Sequence, residues 1–276
     1  MTNSKELFQE VLNKITVEDK SEAAAITYFL LEEKLNLTRN DILMERGISA
    51  SADDLLNEIQ RINSNEPIQY ITGTAWFRNR KFKVNSSVLI PRPDTELLVQ
   101  EVINQKVKSP AILDVGTGSG CIAISLALEI SDSKVIALDM SNQALTVAKE
   151  NALLLNASVE FIQSDFLNDD LKISNLDFLV SNPPYVMEKE KQLMHSNVLD
   201  FEPSLALFVP DSNPLLFYKA LAERGEQLLK QNGKVIAEIN PLLATETKEL
   251  FEQNDYQNVR LVKDLEGKNR IVFATR

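Results

Sequence analysis

From residue 94 to residue 276, short apolar runs alternate with amphipathic stretches, and this alternation restricts the fold more than any other feature of the chain. Apolar residues recur with helical spacing over 96–105, 121–130, 143–155, 214–230 and 242–253. Between them lie short strand-like runs over 111–115, 134–139, 159–163, 176–181 and 234–239, with two more near 259–262 and 270–274. Strands separated by helices are joined by crossovers rather than hairpins. The repeat therefore implies an α/β chain with a parallel sheet and helices on both faces. Ligands of such sheets bind beyond the carboxyl ends of the strands.

The first of these strands runs into Asp114-Val115-Gly116-Thr117-Gly118-Ser119-Gly120. Glycines at alternate positions let the backbone turn sharply and approach a ligand closely. The spacing is G-x-G-x-G rather than the dinucleotide form G-x-G-x-x-G, and Cys121 follows where a phosphate-binding lysine would stand. The second strand ends in Asp139, 19 residues beyond Gly120, where a carboxylate can accept from both hydroxyls of a ribose. Asp114 adds another carboxylate at the loop. Carboxylates repel phosphates but suit a sulfonium or an amino group. After the third strand, Asp165 can accept from an adenine amino group, with Phe166 against the ring. Any one of these acids alone reads as a helix cap or a solvated turn. The ordered set, with Gly116, Thr117, Gly118, Ser119 and Gly120, reads as a site for an adenosine-bearing ligand.

The fourth strand runs into Ser181-Asn182-Pro183-Pro184-Tyr185. Two consecutive prolines fix φ and remove two backbone donors, which frees the neighbouring carbonyls to face a ligand. The chemistry suggested is transfer to a planar nitrogen. An amide nitrogen is a poor nucleophile because its lone pair is delocalised. The Asn182 side-chain oxygen and the Pro183 carbonyl can hold the two NH₂ hydrogens and turn the lone pair toward an electrophile. Tyr185 can stack on the flat group. Catalysis would then rest on positioning and electrostatics, without a strong base.

The rest of the chain sets bounds. Residues 1–65 read as a small helical domain without chemistry of its own. Its expected start signals are Ser4, Ser21, the pair Thr38 and Asp41, and the pair Ser51 and Asp54. Residues 66–93 read as a linker. Within it, Ile68, Tyr70, Trp76, Phe77, Phe82 and Val84 suggest a β-hairpin over 67–84 with a basic tip at Arg78–Lys81. That tip is either a solvated turn or a contact patch for an acidic partner or for nucleic acid. With 29 basic and 40 acidic residues the net charge is −11, unlike a free-standing nucleic-acid binder. One cysteine, Cys121, and one histidine, His195, exclude an internal disulfide and make a structural zinc site and a Ser–His–Asp site implausible; no metal is expected. His195, in a polar stretch, reads as a solvated loop residue. The N-terminus has no signal-like apolar region, and the sequence holds no apolar run of about 18 residues. A cytoplasmic protein without a membrane span is the expectation.

The glycine loop, the ribose acid and Asn182-Pro183-Pro184-Tyr185 together resemble the class I amino-methyltransferases. Other segments are similar to the HemK/PrmC family in particular: Leu89-Ile90-Pro91-Arg92-Pro93-Asp94-Thr95-Glu96, Glu66–Gly73, Phe201-Glu202-Pro203 and Asp264–Arg270. The resemblance covers essentially residues 66–276, and the helical N-terminal part fits that family's small domain. It implies a seven-stranded Rossmann-like methyltransferase domain over 94–276 that uses S-adenosylmethionine. The implied substrate is the glutamine amide in the Gly-Gly-Gln motif of class I peptide chain release factors. It places Gly116–Gly120 and Asp139 on the cofactor, and Asn182–Tyr185 on the glutamine, with Asn182 also beside the cofactor. Phe166 stands where bacterial relatives often carry tryptophan. Arg92 and Glu96, on a segment stiffened by Pro91 and Pro93, are expected near the cofactor pocket.

Two other readings stand beside this one. Adenine-N6 methylation of DNA or RNA uses the same kind of planar amino group, but the acidic balance counts against a phosphate-gripping surface. A non-catalytic module that kept the cofactor fold has no need of the intact tetrapeptide.

Overall fold

A computed structural model describes residues 3–276, which divide into two compact units: residues 3–74 with 195–201, and residues 75–194 with 202–276. In the first unit the helices are α1 (Ser4–Lys14), α2 (Lys20–Leu35), α3 (Arg39–Leu43), α4 (Leu56–Asn63) and α5 (Ile68–Thr72). Leu7, Val11, Leu30, Leu31, Ile59 and Ile62 form the centre of their shared apolar core. Two of the expected caps shift. Asn3 rather than Ser4 caps α1, accepting from the Glu6 N–H at 2.9 Å, and Ser4 is buried with its hydroxyl on the Asp41 carbonyl at 2.7 Å. Asp19 rather than Ser21 caps α2, because its carboxylate reaches the N–H groups of both Ser21 and Glu22. The reciprocal pair of Thr38 and Asp41 forms as expected.

The hairpin is shorter than its sequence suggests. Ile68 and Tyr70 lie in α5, which starts on Pro67 and ends at the left-handed Gly73. Only β1 (Thr74–Phe77) and β2 (Arg80–Lys83) pair, around a turn in which Arg78 and Asn79 both have positive φ. That is the turn geometry that matches strand twist in a two-residue hairpin. The two arginines of the tip are engaged within the chain, while Asn79 between them is exposed. Arg78 donates to both oxygens of Glu129, at 2.9 and 2.5 Å, and to Gln100 at 3.3 Å, while Arg80 reaches the same Glu129 at 2.6 Å. Two guanidinium groups on one partly buried carboxylate hold the Glu129 carboxyl below its usual range, with Arg78 the larger cause.

The second unit continues with α6 (Glu96–Ile103), β3 (Ala111–Val115), α7 (Cys121–Glu129), β4 (Lys134–Asp139), α8 (Asn142–Leu154), β5 (Glu160–Gln163) and β6 (Leu176–Ser181). The short pair β7 (Val186–Met187) and β8 (Phe208–Val209) flanks the first unit's α9 (Ser196–Phe201) in sequence. Then come α10 (Leu216–Leu228), β9 (Leu229–Glu238), α11 (Ala244–Gln253), β10 (Gln257–Lys263) and β11 (Asn269–Thr275). The seven-stranded sheet has the order β10-β11-β9-β6-β3-β4-β5. Five strands are parallel. β11 runs antiparallel between β9 and β10, because a hairpin with Gly267 in its turn replaces the last crossover.

Alternate strand residues feed two cores. Ile112, Phe178, Val180 and Ile236 pack under α6 and α7 with the hairpin's Phe77 and Phe82. Leu113, Leu179, Val235 and Ala237 pack under α10 and α11 around Tyr218 and Phe251. Strand order reverses between β3 and β6, which opens a crevice at their carboxyl ends. No helix among the described residues is long and apolar enough to cross a membrane.

Candidate active site

Sheet register brings the sequence motifs into one row. Leu138, Val115, Ser181 and Ala237 are cross-strand partners on β4, β3, β6 and β9. The next residue on each strand is Asp139, Gly116, Asn182 and Glu238. Parallel pairing without a bulge at this level therefore sets the glycine loop between the acid of β4 and the asparagine that follows β6. Glu238 stands just beyond that asparagine.

The glycine loop is built from its own backbone and one acid. The N–H groups of Gly116 and Thr117 both bond the Leu138 carbonyl, at 2.8 and 3.0 Å, and the Gly118 N–H donates to Asp139 Oδ2 at 2.9 Å. Gly118 has φ +54° and Gly116 φ +71°, a region that side chains disfavour, and an added Cβ at either would meet open space. Gly120 differs. Its Cβ would lie 2.9 Å from Ile124 Cδ1 and 3.1 Å from Ala148 Cβ, so this glycine serves the packing of α7 on α8. Thr117 and Ser119 are buried, and the Ser119 carbonyl accepts from Asn151 at 2.9 Å. Asn151 also bonds both the N–H and the carbonyl of Lys83, which ties the hairpin to the loop.

The carboxylates occupy three environments. Asp139 is mostly buried, and burial raises its pKa; the N–H groups of Ser141 and Gly118 oppose that rise. Each of its oxygens thus takes one backbone donor and keeps a lone pair for another. Asp114 lies fully buried beneath the loop rather than on its surface. Its Oδ2 accepts from the Thr117 hydroxyl at 2.6 Å. Its Oδ1 has no full hydrogen bond, although the Ala123 N–H favours the charged form, and burial pushes its pKa up to about 7. Asp165 closes a local turn, accepting from the Leu167 N–H at 2.8 Å and from Asn168 at 2.7 Å. Phe166 is drawn into the core of the α10 and α11 face, with the Arg224 guanidinium 5.0 Å from its ring centroid.

At the other end of the row the tetrapeptide is held by side chains. Asn182 Nδ2 donates to Thr95 Oγ1 at 3.1 Å, and Thr95 Oγ1 donates to Glu238 Oε2 at 2.6 Å. The Tyr185 hydroxyl donates to the other oxygen, Glu238 Oε1, at 2.9 Å. Among the described residues no donor reaches Asn182 Oδ1 or the Pro183 carbonyl, and Pro184 is half-buried beside them. Glu238 is 1% exposed. Burial raises its pKa, against the Thr95 and Tyr185 hydroxyls and Arg270. Burial and the Glu238 charge push the Tyr185 phenol up as well. The backbone behind Tyr185 is fixed by Asn240, whose Nδ2 donates to the Tyr185 carbonyl and to Glu190.

Ion pairs gather the other motifs around this end. Arg92 bonds Glu202 Oε1 at 2.5 Å, and Glu202 is almost fully buried, with Oε2 accepting from the Ile90 N–H. Arg270 bridges Asp94 and Asp264, each at 3.0 Å. Arg92 lies within electrostatic reach of Tyr185, whereas Glu96 turns to the hairpin and accepts from the Arg78 N–H at 2.9 Å. The residue before it, Thr95, is the one that meets Asn182. Sequence reasoning passed over Thr95 and Glu238. The available signal was a lone glutamate ending the otherwise apolar run Val235-Ile236-Ala237. His195, just ahead of α9, is exposed.

The sequence matches two family models, the PrmC N-terminal domain over residues 6–73 and the methyltransferase small domain over residues 92–200. It is 45% identical over 259 residues to the release factor glutamine methyltransferase of Bacteroides thetaiotaomicron, covering 92% of this chain and 93% of that one. It is 40% identical over 262 residues to the protein of the same name from Flavobacterium psychrophilum, covering 92% of each. Among solved structures, a methyltransferase from Pyrococcus furiosus superposes with a TM-score of 0.54 at 17% identity, over 79% of this chain and 98% of that one, a likeness of fold alone. With relatives this similar along nearly its whole length, the chain belongs to the release factor glutamine methyltransferase family.

Proposed function

We propose that this protein transfers a methyl group from S-adenosylmethionine to the side-chain amide nitrogen of the glutamine in the Gly-Gly-Gln motif of class I peptide chain release factors. The observation that carries the proposal is the state of Asn182. Its NH₂ is engaged by Thr95, so its Oδ1 is left to accept from a substrate amide. The Pro183 carbonyl is the second acceptor. Held by both, the NH₂ hydrogens of the glutamine lie toward the tetrapeptide, which fixes the amide plane and turns one face of the nitrogen toward an incoming methyl group; as the N–C bond forms, one of the two held hydrogens leaves as a proton. Tyr185, with its hydroxyl fixed on Glu238, offers a ring to stack on the amide plane.

The cofactor is proposed to lie on Gly116–Gly120, with its ribose on Asp139 and its adenine near Asp165. Open space at Gly116 and Gly118 admits a ligand against the backbone, and the neighbouring carboxylates suit a positively charged group over a phosphate. When bound, S-adenosylmethionine would supply a methyl group on a sulfonium, an electrophile strong enough to need no activation, with the C–S bond breaking to leave neutral S-adenosylhomocysteine. Phe166, mostly buried beside Asp165, is proposed to lie against the adenine ring. Asp114 acts from beneath the loop through Thr117. The helical N-terminal segment is read as the part that grips the protein substrate, and no stable nucleic-acid partner is proposed.

The test is methyl transfer from radiolabelled S-adenosylmethionine, offered in parallel to a class I release factor, to a copy lacking the motif glutamine, and to duplex DNA. Label should enter the first alone. Label in the glutamine-free copy would overturn the acceptor assignment, and label in DNA would favour adenine-N6 methylation.

A further inference from the structure

Thr95 lies within one of the segments that resemble the family and Glu238 outside them all, and the functional reading above gives neither of these two residues, which hold Asn182 in place, a part in the reaction. Asparagine can present either its oxygen or its NH₂ in a given direction, since the two orientations occupy nearly the same space. Only one of them offers an acceptor to a substrate NH₂. What fixes the orientation lies one and two hydrogen bonds away.

We propose that Glu238 and Thr95 are positioning residues that set the orientation of the Asn182 amide. The inference rests on the functional reading above. An ionised carboxylate only accepts hydrogen bonds, and a hydroxyl has one hydrogen to give. Glu238 Oε2 takes the Thr95 hydrogen at 2.6 Å. Thr95 Oγ1 can then only accept, so it takes the Asn182 NH₂ at 3.1 Å and turns Oδ1 the other way. The polarity of a buried acid is thereby carried to the reacting end of the tetrapeptide. The same acid fixes Tyr185 through its other oxygen at 2.9 Å, so one carboxylate orders both ends of Asn182-Pro183-Pro184-Tyr185.

The surroundings fit a group kept for its direction. Thr95 is 2% exposed and Glu238 1%, so no solvent competes for the hydroxyl hydrogen. Burial of a carboxylate is unfavourable unless it is well partnered. Here burial raises the Glu238 pKa, and the Thr95 and Tyr185 hydroxyls, then Arg270, favour the charged form against that rise. Register adds the geometric reason: Ala237 pairs with Ser181, so the residues that follow them, Glu238 at the end of β9 and Asn182 just past β6, stand side by side.

Three variants test the relay, each assayed for kcat and KM with a release factor and for S-adenosylmethionine affinity by calorimetry. Glu238→Gln gives Thr95 a neighbour that can donate, which permits the chain to reverse and turns the Asn182 NH₂ toward the substrate. Its kcat should fall about 10- to 100-fold, in proportion to the population of competent orientation. Thr95→Val keeps the shape and removes the acceptor, and should lose about tenfold in kcat. Thr95→Ser keeps the hydroxyl and should stay within about threefold of wild type. KM for the release factor and cofactor affinity should stay within about twofold throughout, because the change is in the fraction of enzyme set for transfer.

Thr95→Val and Glu238→Gln with wild-type kcat would overturn the relay. So would a Thr95→Ser variant as impaired as Thr95→Val, or a parallel loss of cofactor affinity, since either result marks a packing role. Should Glu238→Gln fail to fold, the contrast between valine and serine at Thr95 still decides. Wild-type protein that leaves the release factor unlabelled would overturn the functional reading and the relay with it; wild type that labels it beside an equally active Thr95→Val would overturn the relay alone.

Discussion

Asp139 and Glu238 stand in the same row at the carboxyl ends of two parallel strands, and both are buried, yet they are held by different kinds of partner. Asp139 is held by backbone: the N–H groups of Gly118 and Ser141 each bond one of its oxygens at 2.9 Å. Glu238 is held by side chains, the hydroxyls of Thr95 and Tyr185. Backbone donors come with the chain path. They persist through most substitutions, and they leave the acid free to serve whatever ligand the loop admits. Side-chain donors have a polarity of their own and can pass it on. The glycine-loop end is accordingly suited to holding a ligand, and the tetrapeptide end to directing an atom.

That contrast is broken most directly at Asn182. Asn182→Ala removes an acceptor and leaves the loop and Asp139 untouched. Under the proposed function, S-adenosylmethionine binding should survive and kcat should fall about 10²–10³-fold, by analogy with other preorganised polar contacts. Asn182→Asp retains an acceptor but loses the NH₂ that Thr95 accepts, and its added charge would stabilise a bound sulfonium in the ground state; activity should fall there too. Single-turnover transfer to a release factor measures both. Rates near wild type in both would mean that the tetrapeptide does not direct the amide.

The next largest effect is expected at the other acid. Asp139→Ala removes the proposed partner of the ribose hydroxyls and also releases the Gly118 N–H. A hydrogen bond to a charged group contributes roughly 1.5–3 kcal/mol, so affinity for S-adenosylmethionine should drop about tenfold or more. With saturating cofactor, the rate of transfer should recover far more than it does in Asn182→Ala. Unchanged affinity by calorimetry in a folded variant would remove Asp139 from the cofactor site, and a rate that saturating cofactor cannot restore would erase the distinction between holding and directing.

The same contrast explains what the sequence could disclose. Glycine spacing, a strand-ending acid and a double proline are local signals, because each acts through the backbone of its own segment. The strands Lys134–Asp139 and Leu176–Ser181 were readable to the residue for the same reason. The relay was not readable. Thr95 and Glu238 are 143 residues apart, Arg92 and Glu202 110, and Lys83 and Asn151 68. No local period reports which side chains meet across a finished sheet. The basic tip stayed open between a solvated turn and a contact patch because the carboxylate that Arg78 and Arg80 share, Glu129, lies at the end of a helix some fifty residues on. The helix at Ile68–Thr72 was hidden by a different limit. Two apolar residues spaced by two do not distinguish strand from helix, and the decisive feature is that Pro67 starts a turn that Gly73 ends.

The smallest expected effect concerns the carboxylate that neither kind of partner fully satisfies. Asp114 keeps one oxygen on Thr117 and has the other without a full hydrogen bond in a fully buried site, with its pKa pushed up to about 7. An unfolded aspartate releases its proton near pH 3.9. Between those values the folded protein binds a proton that the unfolded chain does not, so the contribution of this group to stability is full at low pH and declines as pH rises toward 7. Asp114→Asn cannot titrate and carries no such term, while all other groups titrate alike in both proteins. The stability advantage of wild type over the variant should therefore fall by about 1.4 kcal/mol between pH 6 and pH 8 and level off above that. Urea unfolding of the pair at both values reads this directly. A difference that stays flat would mean that Asp114 is already ionised in the folded protein at pH 6, held by the Ala123 N–H and the Thr117 hydroxyl as fully as Asp139 is held by its own donors. The loop would then carry two stable charges against a bound sulfonium instead of one.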